Sequence, residues 1–315
     1  MFITNKNNKG YAMKKILYTL ILVSLAIILL TSCGKSEYTY EKVENGVAIT
    51  GYTGDATHII IPEKIGRKNV VAIGESAFDA TRIISVVVPD SVKTIEKYAF
   101  RRCGNLTNIV LPKGLNRIEE GTFTFCSALQ KIDIPNGVEY IGTNAFAGTA
   151  LSKVTLPDSV KVVGDYVFYN CTHLTSFKAG KGLEELGKYA FANCISLKSP
   201  ELNEGLKKMG NNCFEHCSSM TEFDIPAKVE TLEMGLFAHS AIENITIAGG
   251  VKKISYYVFE GCKSLNNVYI SPSVNEMDSN IFNECKGFVI HGVRDSQAEI
   301  YADTYGFKFQ EYNFE

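Results

Sequence analysis

The sequence has little excess charge and none of the short motifs that mark common enzymes. Its formal net charge is −2, and the first 33 residues contain four lysines and no acid, so residues 34–315 carry −6. A chain of this balance lacks the basic surface that binds nucleic acid, and we exclude that partner. No G-x-S-x-G, H-E-x-x-H or phosphate-binding loop occurs. We therefore expect no catalysis, no cofactor and no metal, with an enzyme assembled from distant residues as the alternative.

Tryptophan is also absent, and only 8 prolines occur in 315 residues, whereas glycine is frequent at 26. Hydrophobic residues make up 45% of the chain and charged residues 21%, which is typical of a folded protein rather than a disordered one. Composition does not separate two compact domains from one elongated array. The deciding property is whether the sequence repeats itself.

One long apolar run lies near the amino terminus. Lys14 and Lys15 precede apolar residues 16–30, the layout of a secretory signal that is short for a spanning helix. The run ends in Leu-Thr-Ser-Cys-Gly, which resembles the bacterial lipobox, whose Cys is diacylated and becomes the new amino terminus. We predict a signal peptide over residues 1–33 and lipidation of Cys33. An uncleaved anchor helix is the alternative, and Met13 is an alternative start.

Phenylalanine recurs along most of the chain at spacings of 22 or 23 residues: Phe78, Phe100, Phe123, Phe146, Phe168, Phe191, Phe214, Phe237, Phe259 and Phe282. A fixed period of this length indicates a solenoid, in which each coil buries its apolar residues against its neighbours. Ile109 and Leu111 alternate before Pro112, which predicts a short strand with both side chains inward.

We expect the strands of successive coils to pair into one parallel sheet. A helical or 3₁₀ turn should precede each periodic Phe. Because proline marks strand ends and cannot donate to a ladder, we expect the weakest pairing at the strands of Ala179, Ile247 and Ile270, which lack a following Pro, and at the strand that contains Pro200.

The repeat L-x-x-I-x-I-P-x-x-V-x-x-I-x-x-x-A-F-x-x-C resembles the BspA-like, or treponemal-type, leucine-rich repeat. The resemblance covers residues 58–285, about ten units of 22–23 residues. It implies a repeat solenoid, a right-handed coil with a parallel β-sheet on one face and short strands or helical turns on the other. Residues 34–57 resemble a short tether with the family's amino-terminal cap, and residues 286–315 resemble its carboxy-terminal cap.

The resemblance also implies a function and a location. Members of this kind are lipoproteins of the bacterial cell envelope, facing outside or the periplasm, that adhere to host proteins or other cells. On this basis we expect a membrane contact through the lipid anchor and a protein ligand. An envelope scaffold and a glycan-binding protein are the alternatives.

The cysteines follow the same period. Cys103, Cys126, Cys171, Cys194, Cys217, Cys262 and Cys285 each lie three residues after a periodic Phe. The 22-residue coils have Thr81, Thr149 or Ser240 there instead. We predict a small buried corner filled by a free thiol or a hydroxyl, with oxidation of neighbouring thiols as the alternative. Cys213 and His216 beside Cys217 suggest a metal cluster, which we discount because Cys217 belongs to the periodic row.

Two positions of each strand should point outward, the one two residues before the Pro position and the one two residues earlier. We predict that a partner binds there, at Ile60, Val87, Val110, Lys131, Lys153, Lys178, Glu201, Asp224 and Tyr269. These residues run from an apolar end through a basic middle to an acidic stretch, which favours an extended protein partner. The alternative is a strand surface that serves folding and solubility alone.

Overall fold

The computed structural model of the protein describes residues 37–314. The predicted signal peptide and Cys33 lie outside the described residues. Residues 38–314 form a stack of coils, each with two short extended segments and a turn that carries the periodic Phe. The extended segments of successive coils pair in parallel and build two ribbons, which we name the front sheet and the back sheet.

The front sheet contains the segments in which strands were predicted. Its strands are β3 (His58–Ile60), β6 (Ser85–Val87), β8 (Asn108–Val110), β11 (Lys153–Thr155), β13 (Ser176–Lys178), β17 (Asn244–Ile247), β19 (Asn267–Ile270), β21 (Val289–Gly292) and β22 (Lys308–Glu311). Ile109 and Leu111 are buried as predicted.

The back sheet follows each front strand by several residues. Its strands are β5 (Lys68–Ile73), β7 (Thr94–Ile95), β9 (Arg117–Ile118), β10 (Tyr140–Ile141), β12 (Val162–Val163), β14 (Glu185–Leu186), β15 (Lys208–Met209), β16 (Thr231–Leu232), β18 (Lys253–Ile254) and β20 (Glu276–Met277). Its second strand residue is buried in most coils, so both sheets share one core.

The ends of the stack differ from the repeating coils. At the amino-terminal end, β1 (Tyr38–Val43) and β2 (Gly46–Tyr52) form an antiparallel hairpin, and β2 pairs in parallel with β5. The short β4 (Lys64–Ile65) pairs antiparallel with β5. At the other end, helix α1 (Gln297–Tyr305) stops at Gly306, whose φ of 72° is left-handed, and β22 extends the front sheet beyond β21.

The periodic Phe rings form the centre of the core. All ten are buried, and consecutive rings stack with centroids 5.0 Å apart at Phe78–Phe100 and up to 6.1 Å apart at Phe214–Phe237. One ring per coil therefore contacts the rings of both neighbours, so burial in each coil depends on the next. The predicted repeat solenoid is confirmed.

The turn before each Phe is not the predicted helix. The N–H of Phe123 donates to the carbonyl of Ala145 in the next coil at 2.9 Å, while the N–H of Thr124 bonds back to Gly121 at 3.1 Å. Backbone at Gly121 and Phe125 is left-handed, with φ of 61° and 59°. This alternation directs every second N–H out of the coil, so the segment is a run of separate i→i−3 turns and not a continuous helix.

The prediction about proline was right for the segment with Pro200 and wrong for the other three strands, since β13, which ends before Ala179, pairs with β11 over three residues as β6 does with β8. The segment with Pro200 keeps only a single bridge, between Glu201 and Lys178. The strands that end at Ile247 and Ile270 have no following Pro, yet with four residues each they are longer than the preceding front-sheet strands. The physical reason is that Ser271, in the position of a proline, has an N–H and donates it to the carbonyl of Ile247 at 3.0 Å.

The front sheet is also not continuous, contrary to the prediction of a single sheet. No strand forms at residues 131–134 or 222–225. Residues 131 and 153, and residues 222 and 244, are 22 residues apart, but β19 and β21 have the same spacing and pair over four residues. The length of the coil therefore does not account for the lost ladder.

The thiols occupy the predicted buried corner. All eight described cysteines are free and buried. The Cys194 thiol donates to the carbonyl of Phe168, one coil earlier, at 3.1 Å, and the other periodic cysteines repeat this bond. In a shorter coil the Thr149 hydroxyl fills the corner and lies 3.3 Å from the sulfur of Cys171. Burial raises the pKa of Cys171 to about 11, so the thiol stays protonated.

Candidate functional site

The front sheet places the predicted partner-binding residues in two adjacent rows. Paired strands align Ile60 with Val87 and Val87 with Val110. The bridge between Lys178 and Glu201 continues the row, and Tyr269 aligns with His291. Lys131 and Asp224 lie in the two gaps, outside any strand. Lys153 begins β11, in the parallel row two residues earlier.

The first section of the row is apolar and partly exposed. Ile60, Val87 and Val110 each retain some solvent exposure, whereas the alternate residues of their strands are buried. The amino-terminal hairpin pairs with β5 in the back sheet rather than with these strands. The three side chains therefore form a small hydrophobic surface on adjacent coils, which can gain from contact with another apolar surface.

The middle section is charged. Lys178 Nζ lies 2.6 Å from Glu201 Oε2, and this hydrogen bond raises the pKa of the Lys178 ammonium. Lys131 pairs with Asp133 at 3.4 Å. Lys153, Glu222 and Asp224 are exposed, and none of them makes an ion pair within the described chain.

The last section is aromatic, which the sequence did not reveal. The ring of Tyr269 stacks on His291 with centroids 4.4 Å apart, and Tyr312 meets Tyr269 edge-on at 4.9 Å. His291 Nε2 hydrogen-bonds Asn267, whose amide donates to Asn244. Burial, with a smaller effect of nearby Lys308, lowers the pKa of His291. The pairing of β22 with β21 brings Tyr312 here, and no repeat position predicts it.

Between the middle and last sections lies a shallow groove of about 290 Å³. It follows the gap in the sheet between residues 222–225 and β17. Its rim carries the carboxylates of Glu222 and Asp224, and Phe223 and Ile245 line its floor. The interrupted ladder therefore leaves a local depression with negative charge on the front sheet.

The back sheet also carries charges, and four of its glutamates pair with lysines of the adjacent coil. Lysines and glutamates alternate from coil to coil and pair at 3.0 Å or less: Glu139 with Lys161, Glu184 with Lys207, Glu185 with Lys208, and Glu230 with Lys252. Exposed pairs of this type add little stability. They do leave this face with fewer charges free to attract a partner.

A second groove, about 870 Å³, lies beside the amino-terminal hairpin. Its lining includes four glutamates, Glu41, Glu44, Glu75 and Glu96, and the hydroxyl of Ser91, which is buried without a hydrogen-bond partner. The repeat pattern does not predict this groove, because the hairpin that forms one wall lies outside the repeats.

Potential metal ligands are dispersed over residues 37–314. No group of three or more His, Cys, Asp or Glu side chains is placed to hold a metal ion in this part of the chain. Cys213 and Cys217 are fully buried, whereas His216 is exposed and stacks on His239 with centroids 4.6 Å apart. Across the same residues, no helix has both the length and the apolar character to span a bilayer.

The two parallel ribbons, the Phe stack and the periodic turns define a leucine-rich-repeat solenoid. A sequence profile described as BspA type leucine rich repeat region matches residues 52–175 and 161–289. The chain belongs to this family.

Solved structures agree with the assignment. A leucine-rich repeat protein from Bacteroides ovatus is 27% identical, with a TM-score of 0.75, over 83% of this chain and 71% of that one. A leucine-rich repeat protein from T. pallidum is 29% identical, with a TM-score of 0.57, over 60% of this chain and 91% of that one. No curated relative matches the chain significantly.

Proposed function

We propose that the protein is a non-catalytic lipoprotein of the bacterial cell envelope that binds another protein through its front sheet. The family is one of surface-type repeat proteins with roles in protein interaction. Lipidation of Cys33 is part of the proposal and is supported by the residues around it in the sequence. Acyl chains on Cys33 would hold the solenoid at a membrane.

The contrast between the two sheets carries the proposal. The central coils of the back sheet pair glutamate with lysine across adjacent coils, whereas Lys153, Glu222 and Asp224 of the front sheet have no ion-pair partner in the described chain. The front sheet also has partly exposed Val87 and Val110 at one end. Unpaired charges steer a charged partner and select among partners, and the apolar ends provide burial.

A matched pair of variants tests the choice of face. One carries Lys131→Glu, Lys153→Glu and Lys178→Glu on the front sheet, and the other carries Lys161→Glu, Lys207→Glu and Lys252→Glu on the back sheet. Both change the net charge equally. Cross-linking on intact cells should lose its protein adducts with the front variant and keep them with the back variant. Equal adducts from both variants would contradict the choice of face.

Two further measurements test the envelope location. Wild-type protein should incorporate labelled palmitate and partition into detergent, and Cys33→Ala should do neither. External protease should digest the protein on intact cells if it faces outside. If the protein stayed fully protected from protease even after the outer layers of the cell surface were removed, a surface role would be contradicted.

Glycan binding is a second candidate because of the aromatic section. Tyr269 and Tyr312 lie beside the amides of Asn244 and Asn267, and sugars are bound by aromatic faces together with amide hydrogen bonds. A glycan array separates the two candidates. Retention of a sugar by the wild type and its loss with Tyr312→Ala would favour glycan binding over a protein partner.

A further inference from the structure

The chemistry of the front sheet changes in a defined order along the stack. An apolar section at Val87 and Val110 comes first, then lysines at 153 and 178. Acids follow at 201, 222 and 224, and the sheet ends in the aromatic section at Tyr269 and His291. The Lys178–Glu201 pair lies at the midpoint of the sheet, with equal numbers of strand positions before and after it. The two halves of the face are therefore opposite in charge and alike in being apolar at their far ends.

A surface that binds a second copy of itself about a twofold axis needs complementary residues at equal distances on either side of that axis. The charges of the front sheet follow such an order. The axis would run parallel to the strands, in the plane of the interface, between Lys178 and Glu201. A half turn about it reverses the order of the coils but keeps each residue at the same place along its strand. In such an interface each residue of one half faces its counterpart in the other half of the second copy.

The counterparts nearest the axis are complementary in charge. Lys178 would face Glu201 of the second copy, and Lys153 would face Glu222, with Asp224 adjacent. Further out, Val110 would face Tyr269. Every contact occurs twice because of the symmetry, so the ion pairs and the apolar contacts are doubled.

We propose that the front sheet docks against the front sheet of a second copy of this chain, with the two stacks running in opposite directions. The proposal rests on the proposed function and names the partner. The strand directions of the two sheets coincide in this arrangement, which is the geometry of aligned sheet packing at about 10 Å separation. Two outward residues per coil give roughly 20 residues on each side, the size of a standard interface.

The charges that lack partners within the chain support this occupant. Lys153, Glu222 and Asp224 are exposed without an ion pair, and the twofold arrangement supplies opposite charge to all three. A partner of uniform charge would meet repulsion in one half of the face. A second copy meets attraction in both halves.

The test is the association of full-length protein purified in mild detergent, followed by light scattering after size exclusion. Wild type should dimerise, and more weakly as salt rises. Lys153→Glu and Glu222→Lys should each weaken association by roughly tenfold or more, since each places like charges together twice. The double variant should recover association, because the exchanged charges again face each other. Lys252→Glu on the back sheet is the control and should associate like wild type.

Mixing the two single variants gives the sharpest result. In a mixed pair, the two substituted side chains have opposite charges and face each other at one site, while the native Lys153 and Glu222 face each other at the second site. Differently tagged Lys153→Glu and Glu222→Lys chains should therefore co-purify with each other more strongly than either does with itself.

A wild type that stays monomeric, or a double variant that fails to recover, would overturn the dimer. If such a monomer still gave cell-surface adducts that the front-sheet lysine variant removes, the dimer would be wrong and the proposed function would stand. If those adducts were also insensitive to the front-sheet variant, both would be wrong.

Discussion

The thiol of Cys194 donates a hydrogen bond to the backbone carbonyl of Phe168 in the preceding coil, with sulfur and oxygen 3.1 Å apart. The bond ties the turn of one coil to the turn that precedes it, at a corner that excludes water. It explains why cysteine recurs with the period of the coil in a protein without disulfides among its described residues.

Replacing this cysteine tests the role of the bond. Cys194→Ala leaves the Phe168 carbonyl without a donor and a small cavity beside it, and should lower the free energy of unfolding by about 1–3 kcal/mol. Cys194→Ser should cost less, because a hydroxyl fills the equivalent corner at Thr149 and Ser240. Urea unfolding measures both. An Ala variant as stable as wild type would show that the bond contributes nothing.

The buried thiols predict a loss of stability in alkali. Burial raises the pKa of Cys262 to about 11 and that of Cys285 to about 12, above the usual value near 9. A group whose pKa is higher in the folded state stabilises the fold below its unfolded pKa, and that contribution is lost as pH rises toward the folded value. Urea midpoints should therefore fall between pH 9 and pH 12. Unchanged midpoints over that range would contradict the burial of the thiols.

An acid-dependent contribution is expected at Asp79. Hydrogen bonds from Arg101 and Arg102 hold the pKa of this carboxyl at about 2, below its usual 3.8. The stabilisation is present above pH 4 and is lost as pH falls toward 2. Because Arg102 is exposed and Arg101 is partly exposed, Asp79→Asn should cost only about 1 kcal/mol at pH 7. Wild type and variant should converge near pH 2, as measured by urea unfolding, and a constant difference would contradict the assignment.

The gaps in the front sheet predict local differences in hydrogen exchange. Residues 131–134 and 222–225 lack ladder hydrogen bonds along the front sheet, so their amides should exchange faster than those of β8 and β19. Exchange measured by mass spectrometry on overlapping peptides provides the comparison, with β8 and β19 as internal references. Equal protection in all four segments would show that the ladder continues through both gaps.

The repeating part of this fold could be predicted from the sequence because every coil buries the same types of residue at the same positions. The period of Phe and Cys located the core and the turns, and the alternation around Ile109 located the inward face. The gaps at 131–134 and 222–225 were not foreseen. Coil length does not signal them, since β19 and β21 are also 22 residues apart and pair over four residues.

The site was predicted in part. Strand alternation predicts outward residues such as Val110 and Lys178, so their positions on the exposed face could be predicted from the sequence. Tyr312 was missed because it follows β22, a strand outside the period that joins the front sheet only through tertiary packing. The longer strand that ends at Ile270 was also missed. Proline was taken as a sign of strong pairing, whereas a proline has no N–H and ends the ladder, which Ser271 continues.

The most direct test of the account is photo-cross-linking from single positions on intact cells. A photoreactive residue in place of Val110 on the front sheet should form protein adducts, to a second copy or to another protein. The same residue in place of Lys252 on the back sheet should form none above background. Adducts from position 252 but not from position 110 would contradict the claim that the front sheet is the interaction surface.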